Sequence, residues 1–231
     1  MAARGRLFAA LAFPVLGACS GSFGERVHEN VHRTIAAGSA PVVRVENVAG
    51  TVRVEGLSRA TVDVQATKYG YDAAQLRSVG IDVSPEDGGV SIVTRYGNDS
   101  HGGGVRYRIE VPIDASLRIG NIAGAVELAG VRGNIEIETQ AGEITADAGV
   151  VSGTRSIDLR ATTGAVNLTI ARGSSARVEA YSTVGDFNTD VPGLAQQREH
   201  IVGARGGGTI GSGSAHIRLS TTTGAIALKQ R

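Results

Sequence analysis

The chain has 231 residues, and 33 of them are Gly, one in seven; ordinary usage is roughly 7%, half of that. These glycines follow no G-X-Y period, which excludes collagen. An apolar share of 42% and a net charge of +1 exclude a disordered chain, and no apolar run reaches the ~20 residues of a membrane-spanning helix.

The first segment reads as an address. Arg4 and Arg6 form a basic start, Leu7 to Leu16 an apolar run, and small residues follow, the layout of a secretory signal. The segment ends Leu16-Gly17-Ala18-Cys19. That ending resembles the lipobox of bacterial lipoproteins, in which the Cys becomes the lipidated first residue of the mature chain. Cys19 is also the single cysteine, so no internal disulfide can form although the chain is exported. The plainer alternative is an ordinary signal cleaved at an A-x-A-like site, with Cys19 a stray thiol. The expected organisation is a lipoprotein signal over residues 1–18, a tether over 19–24 and one domain over 25–231. Several acyl chains would hold such a protein firmly, since each buried CH₂ contributes about 0.8 kcal/mol. Ser20 in place of Asp after the Cys implies sorting to the outer membrane. The expected partners are therefore the membrane, through Cys19, and an unidentified envelope protein or glycan.

Early in the mature chain, His28-Glu29-Asn30-Val31-His32 matches H-E-x-x-H. On a helix this spacing puts both imidazoles on one face, with the Glu as general base. Here the flanking Val27 and Val31 read as an extended strand, no third ligand follows at the usual spacing, and on a strand the two His lie about 13 Å apart. No metal or other cofactor is expected.

From Val42 onward apolar and polar residues alternate, as in Val43-Arg44-Val45-Glu46, Val52-Arg53-Val54-Glu55, Ile135-Glu136-Ile137-Glu138 and Ile157-Asp158-Leu159-Arg160. This is the period of half-buried strands, and the abundance of Val, Ile and Thr favours them. Residues 60–112 fit the later repeat less well. They predict antiparallel strands near residues 61–67, 81–84, 90–96 and 105–111, forming an N-terminal flank or cap, with two helical turns over 71–79 as the sole helix. The loop from Gly97 to Gly104 carries Asp99 and His101 but lacks the spaced carboxylates of a calcium loop and reads as a solvated turn.

The strongest signal is a repeat. Residues 157–168 and 217–228 share I-x-L-x-x-T-T-G-A-[V/I]-x-L, and weaker copies recur at residues 43–54, 117–128, 135–146 and 178–189. Each is a strand, a corner ending in Gly, and a second strand. The corner glycines are Gly50, Gly124, Gly142, Gly164, Gly185 and Gly224. A bend this sharp favours positive φ, which Gly adopts without a Cβ clash. Small or branched residues precede each of them (Ala49, Ala123, Ala141, Thr163, Val184, Thr223), which suits stacking along one corner. One such unit cannot cover its apolar face alone, so units stack about 4.8 Å apart, with Ile157, Leu159, Val166 and Leu168 in a continuous core. Few aromatics fit a core that thin. The last corner interval, 39 residues, spans about two periods and holds a Gly-rich insert at residues 190–213, whose Gly206 to Gly211 run reads as a flexible loop rather than a dinucleotide site, since no helix follows it. The rival fold is an antiparallel sandwich of hairpins.

The order R-V-x-x-x-V-x-R-T, V-R-V-E-N-V-A-G-T-V-R-V-E-G and R-A-T-V-D-V-Q-A-T-K over residues 25–68, followed by the T-x-G-x-[V/I] repeats, resembles a widespread bacterial adhesin-like family with a domain of unknown function. The resemblance covers residues 25–231. It implies an all-β, right-handed parallel β-solenoid, export or surface anchoring, and no catalytic residues. Arginines are interleaved with acids, so no basic block points to nucleic acid. The function expected is a non-enzymatic, lipid-anchored envelope protein that binds a ligand or partner. The alternatives are a polysaccharide lyase or hydrolase on the same fold, and a structural spacer.

Overall fold

The computed structural model describes residues 26–97, 102–199 and 203–231. Along the chain run β1 (Val27–Ala36), β2 (Val42–Ala49), β3 (Val52–Leu57), β4 (Thr61–Gly70), α1 (Ala73–Ser78), β5 (Val79–Glu86), β6 (Gly89–Tyr96), β7 (Gly104–Pro112), β8 (Ser116–Ala123) and β9 (Val126–Ala129). Then follow β10 (Ile135–Ala141), β11 (Ile144–Asp147), β12 (Ser156–Thr163), β13 (Val166–Ile170), β14 (Ala176–Val184), β15 (Phe187–Thr189), β16 (Leu194–Glu199), β17 (Gly203–Ile210), β18 (Ala215–Thr223) and β19 (Ile226–Gln230). Among the described residues no helix is long and apolar enough to cross a membrane.

The strands form two sheets facing one core. One has the order β1-β4-β7-β3-β9-β11-β13-β19-β15, the other β16-β17-β14-β18-β12-β10-β8-β2-β6-β5. Each rung places one strand in each sheet, and successive rungs pair in parallel, so the molecule is a β-solenoid. Inward residues align in ladders: Val43, Leu117, Ile135, Ile157, Ile217 and Val178 in one sheet, and Tyr107, Val52, Val126, Ile144, Val166, Ile226 and Phe187 in the other. All are buried. Each fully buried aliphatic side chain contributes about 1.5–3 kcal/mol. The second ladder carries a ring at each end of its parallel run, Tyr107 paired with Ala66 of β4 and Phe187 packed against Gly206 of β17.

The rungs do not stack in chain order. β18 lies between β12 and β14, and β2 lies between β6 and β8. After β13 the chain builds β14 and β15 one place further on, turns back through β16 and β17, and then fills the vacant place with its C-terminal strands. This accounts for the long interval between Gly185 and Gly224. The run Gly206 to Gly208 belongs to β17, which pairs antiparallel with β14 and β16; the flexible-loop expectation is corrected. Gly206 has no room for a side chain because the Phe187 ring packs where its Cβ would lie.

The flank is a cap with one qualification. β1, β4 and β5 pair antiparallel, but β6 and β7 run parallel to β2 and β3 and form a full rung. Helix α1 covers the end, with Asp72 as N-cap accepting from the Gln75 amide and Leu76 buried. Tyr107, 2% exposed, shares a 2.7 Å hydrogen bond with the Thr94 hydroxyl, and burial pushes its phenol up to about 12. Burial also pushes Tyr96 up to about 12. Unfolding returns both phenols to about 10, so their contribution is intact below pH ~10 and is lost as the pH rises towards ~12. Thermal melts should show a falling midpoint across that interval, and Tyr107→Phe should flatten the fall.

The residues before the corner glycines stack as expected, with Ala49, Ala123, Ala141, Thr163, Thr223 and Val184 in register along one corner. Residues just before the corner Gly, such as Ala123, Thr163 and Thr223, face solvent. The stacked buried position lies three residues before the Gly: Asn47, Asn121, Thr139, Ala161, Thr221 and Ser182 in rung order. Asn121 Nδ2 donates to the carbonyls of Gly50 (3.2 Å) and Gly124 (2.8 Å). Thr221 donates to Gly164 and Ser182 to Gly224. Thr139 breaks the column: it sits between Asn121 and Ala161, and its buried hydroxyl has no hydrogen-bond partner. Replacing an orphaned hydroxyl by a methyl of the same shape removes a desolvation penalty. Thr139→Val should therefore stabilise by about 1 kcal/mol in urea melts.

Candidate functional site

Cys19 and the signal segment lie outside the described residues. The H-E-x-x-H segment lies in β1, an edge strand rather than a helix. His32 Nε2 is 2.7 Å from Asp63 Oδ2, and Thr34 donates to the same oxygen at 2.8 Å. Burial raises the Asp63 carboxyl, but the hydrogen bonds from His32, Thr34 and Gln65 outweigh it and hold the group below its ordinary value. Among the described residues no three His, Cys, Asp or Glu side chains are grouped to hold a metal.

The outer faces of the sheets carry charges in register. Arg53 pairs with Glu127 and Arg118 with Glu136 across adjacent strands, and Arg231, just past β19, pairs with Asp147. Such exposed pairs contribute about 0–1 kcal/mol each and make an even surface. A shallow depression over β3, β9 and β11 gathers Glu127, Glu143 and Asp147 above Ala129 and Ala146. Its carboxylates are engaged: Glu143 accepts from Thr145 at 3.2 Å and Asn167 at 2.5 Å.

A second depression, about 480 Å³, lies at the far end of the solenoid over β17, β14 and β18. It exists because of the glycines. Gly207 pairs with outward-facing Glu179 in β14 and contributes no side chain, leaving a gap beside Arg205. Tyr181 stands next to it, 40% exposed, with the Arg205 guanidinium 5.0 Å from its ring centroid. Arg218, 3.4 Å from Glu179, and Ser220 complete the rim. An exposed ring, two guanidiniums, a carboxylate and a hydroxyl around a bare floor suit a polar, ring-shaped ligand, with its apolar face on the aromatic and its hydroxyls on the charged groups.

The family profile described as Toastrack DUF4097 matches residues 35–229, from the end of β1 to the last strand. The chain belongs to the Toastrack family. The fold recurs in a candidate cell adhesion protein of Clostridium sporogenes, at 11% identity and a TM-score of 0.65, covering 90% of this chain and 100% of that one. Candidate adhesins of Bacteroides fragilis (14% identity, TM-score 0.29, 88% and 97% covered) and Parabacteroides merdae (9%, 0.28, 88% and 96%) are matched less closely. No curated protein matches the chain. Toastrack membership carries the β-solenoid and leaves the ligand to the surface chemistry of this chain. The depression around Tyr181 was not legible beforehand: in the sequence Tyr181 is one residue of a weak repeat, and Arg205 lies 24 positions later.

Proposed function

We propose that this Toastrack protein is a non-enzymatic, lipid-anchored outer-membrane protein that binds a glycan through the depression at Tyr181 and Arg205. The observation that supports it most is the placement of that depression. It sits on the rungs furthest from β1 and the cap, and β1 is the strand that follows the lipobox Cys in the sequence. An anchor at one end and an exposed ring with guanidiniums at the other suit display. The candidate adhesion protein of Clostridium sporogenes has the same fold, which adds weight to surface display.

Two measurements test the reading. Cys19→Ala should shift the chain from the membrane fraction to the soluble fraction, and mass spectrometry should find acyl chains on Cys19 of the wild type. Unmodified wild-type Cys19 would remove the anchor. A glycan array probed with the chain from Ser20 onward should give hits that Tyr181→Ala combined with Arg205→Ala weakens more than tenfold, about 1.4 kcal/mol, at an unchanged melting temperature. Envelope-protein capture without glycan binding would move the partner to the protein class, and binding to neither would leave a structural spacer.

A further inference from the structure

The capped end of the solenoid gathers cations around two tyrosine rings, as the depression at the other end does around Tyr181. Arg26, just before β1, places its guanidinium 5.6 Å from the Tyr69 ring and 5.4 Å from the Tyr71 ring. Arg106 of β7 stands 5.0 Å from Tyr69. Tyr71 is 56% exposed, and next to it α1 exposes Ala73, Ala74 and Arg77. Along the strand faces, arginines such as Arg53, Arg95 and Arg118 are matched to carboxylates. Among the described residues here, Asp72 caps α1 and Glu29 takes Lys68 at 3.0 Å. The end therefore combines cations with exposed aromatic and small apolar surface.

Its distance from the anchor is bounded. Arg26 lies seven positions after Cys19, so the chain between them spans at most about 25 Å. From β1 to β15 there are eight inter-strand steps of about 4.8 Å, roughly 38 Å. A tether shorter than the molecule excludes an upright, inverted orientation with the Tyr181 end on the bilayer and the cap at full height.

We infer that this cap is a membrane-docking face: Tyr71 seats at headgroup level, and Arg26, Arg106 and Arg77 meet the phosphates of an anionic leaflet. The inference rests on the anchor at Cys19. Tyrosine rings favour the membrane interface because one part is apolar and the other wet. Each basic side chain near an anionic surface contributes about 1 kcal/mol, a factor of about five in partitioning. Acyl chains already supply the affinity, so the docking face sets orientation. It holds the solenoid upright and directs Tyr181 and Arg205 away from the membrane.

The test supplies the anchor chemically. In the chain from Cys19 onward that residue is the sole thiol and there is no Trp. Coupling the thiol to a maleimide-headgroup lipid in phosphatidylglycerol-containing vesicles tethers the protein without cellular lipidation. A Tyr71→Trp reporter should then shift to the blue and be quenched by brominated lipids, while a Tyr181→Trp reporter should keep its water-exposed emission. Adding Arg26→Glu and Arg106→Glu, or using uncharged phosphatidylcholine vesicles, should relieve the quenching. Without a tether, vesicle partitioning of the soluble chain should fall about fivefold for each arginine neutralised. A Tyr71→Trp reporter that stays unquenched, that behaves like the Tyr181→Trp reporter, or that is quenched equally on uncharged vesicles overturns the docking face. Unmodified Cys19 in protein recovered from cells overturns the anchor instead, so the two readings fail separately.

Discussion

Gly164→Val should prevent the solenoid from folding, or cost more than about 4 kcal/mol where it folds. The reason goes beyond the turn. Gly164 has φ +142°, disfavoured for any residue with a Cβ and most of all for a β-branched one. A Cβ there would also fall inside the contact distance of the Gly142 carbonyl oxygen, which belongs to the adjacent rung. The same collision recurs along the corner: Gly124 against Gly50, Gly142 against Gly124, Gly224 against Gly164 and Gly185 against Gly224. Gly142 lacks the positive φ of the other five corner glycines, so the feature common to all six is the neighbour's carbonyl, not the dihedral. Controls separate the two causes. Gly153→Ala has φ +70° with open space around it and should cost about 1 kcal/mol. Gly120→Ala has open space and no positive φ, and should be neutral or slightly stabilising. Gly207 is not a silent control, because Val178 O lies close to its would-be Cβ. Urea melts of the set would decide the matter; a Gly164→Val midpoint equal to that of Gly153→Ala would refute the stacked-carbonyl account.

Arg155→Met should cost about 3 kcal/mol and lower the melting midpoint by roughly 6–12 °C. Arg155 is 7% exposed, and its guanidinium donates to main-chain carbonyls. Its Nε donates to Gly133 O at 2.9 Å, Nη1 to Ala148 O at 2.8 Å and Val150 O at 3.2 Å, and Nη2 to Val131 O at 2.6 Å. These carbonyls belong to the loops that return the chain from β9 to β10 and from β11 to β12. Burial pushes the guanidinium down to about 10, which leaves it charged at neutral pH. The planar fork reaches several carbonyls at once, and removing it leaves several buried acceptors without donors, at about 1–3 kcal/mol for each that water cannot reach. Arg155→Lys keeps the charge but places one nitrogen at the tip and should recover less than half of the loss. Equal stability of the wild type and Arg155→Met would show that water replaces the side chain fully.

Much of the fold was legible because it is local. Alternation such as Ile157-Asp158-Leu159-Arg160 specifies a strand with one buried face, and all four flank strands and the short helix occur where the pattern placed them. The corner glycines stood out because six similar segments share one position. The inner polar column could have been found from the same alignment, since Asn47, Asn121, Thr139, Thr221 and Ser182 each stand three residues before the Gly. Its direction could not, because a short polar residue near a corner suits either face.

What the sequence alone determined is the rung: its period, its glycine corner and its aliphatic inward face follow from side-chain geometry within about twelve residues. The order of the rungs was decided only by the tertiary structure. Segments sharing I-x-L-x-x-T-T-G-A present nearly equal edges, so local pattern does not distinguish a β12–β14 neighbour pair from β12–β18; the antiparallel return through β16 and β17 decides it by leaving one place open for the C-terminal strands. The depression has the same origin: Tyr181 meets Arg205 because β14 and β17 pair, and its bare floor depends on where that glycine strand is laid against β14.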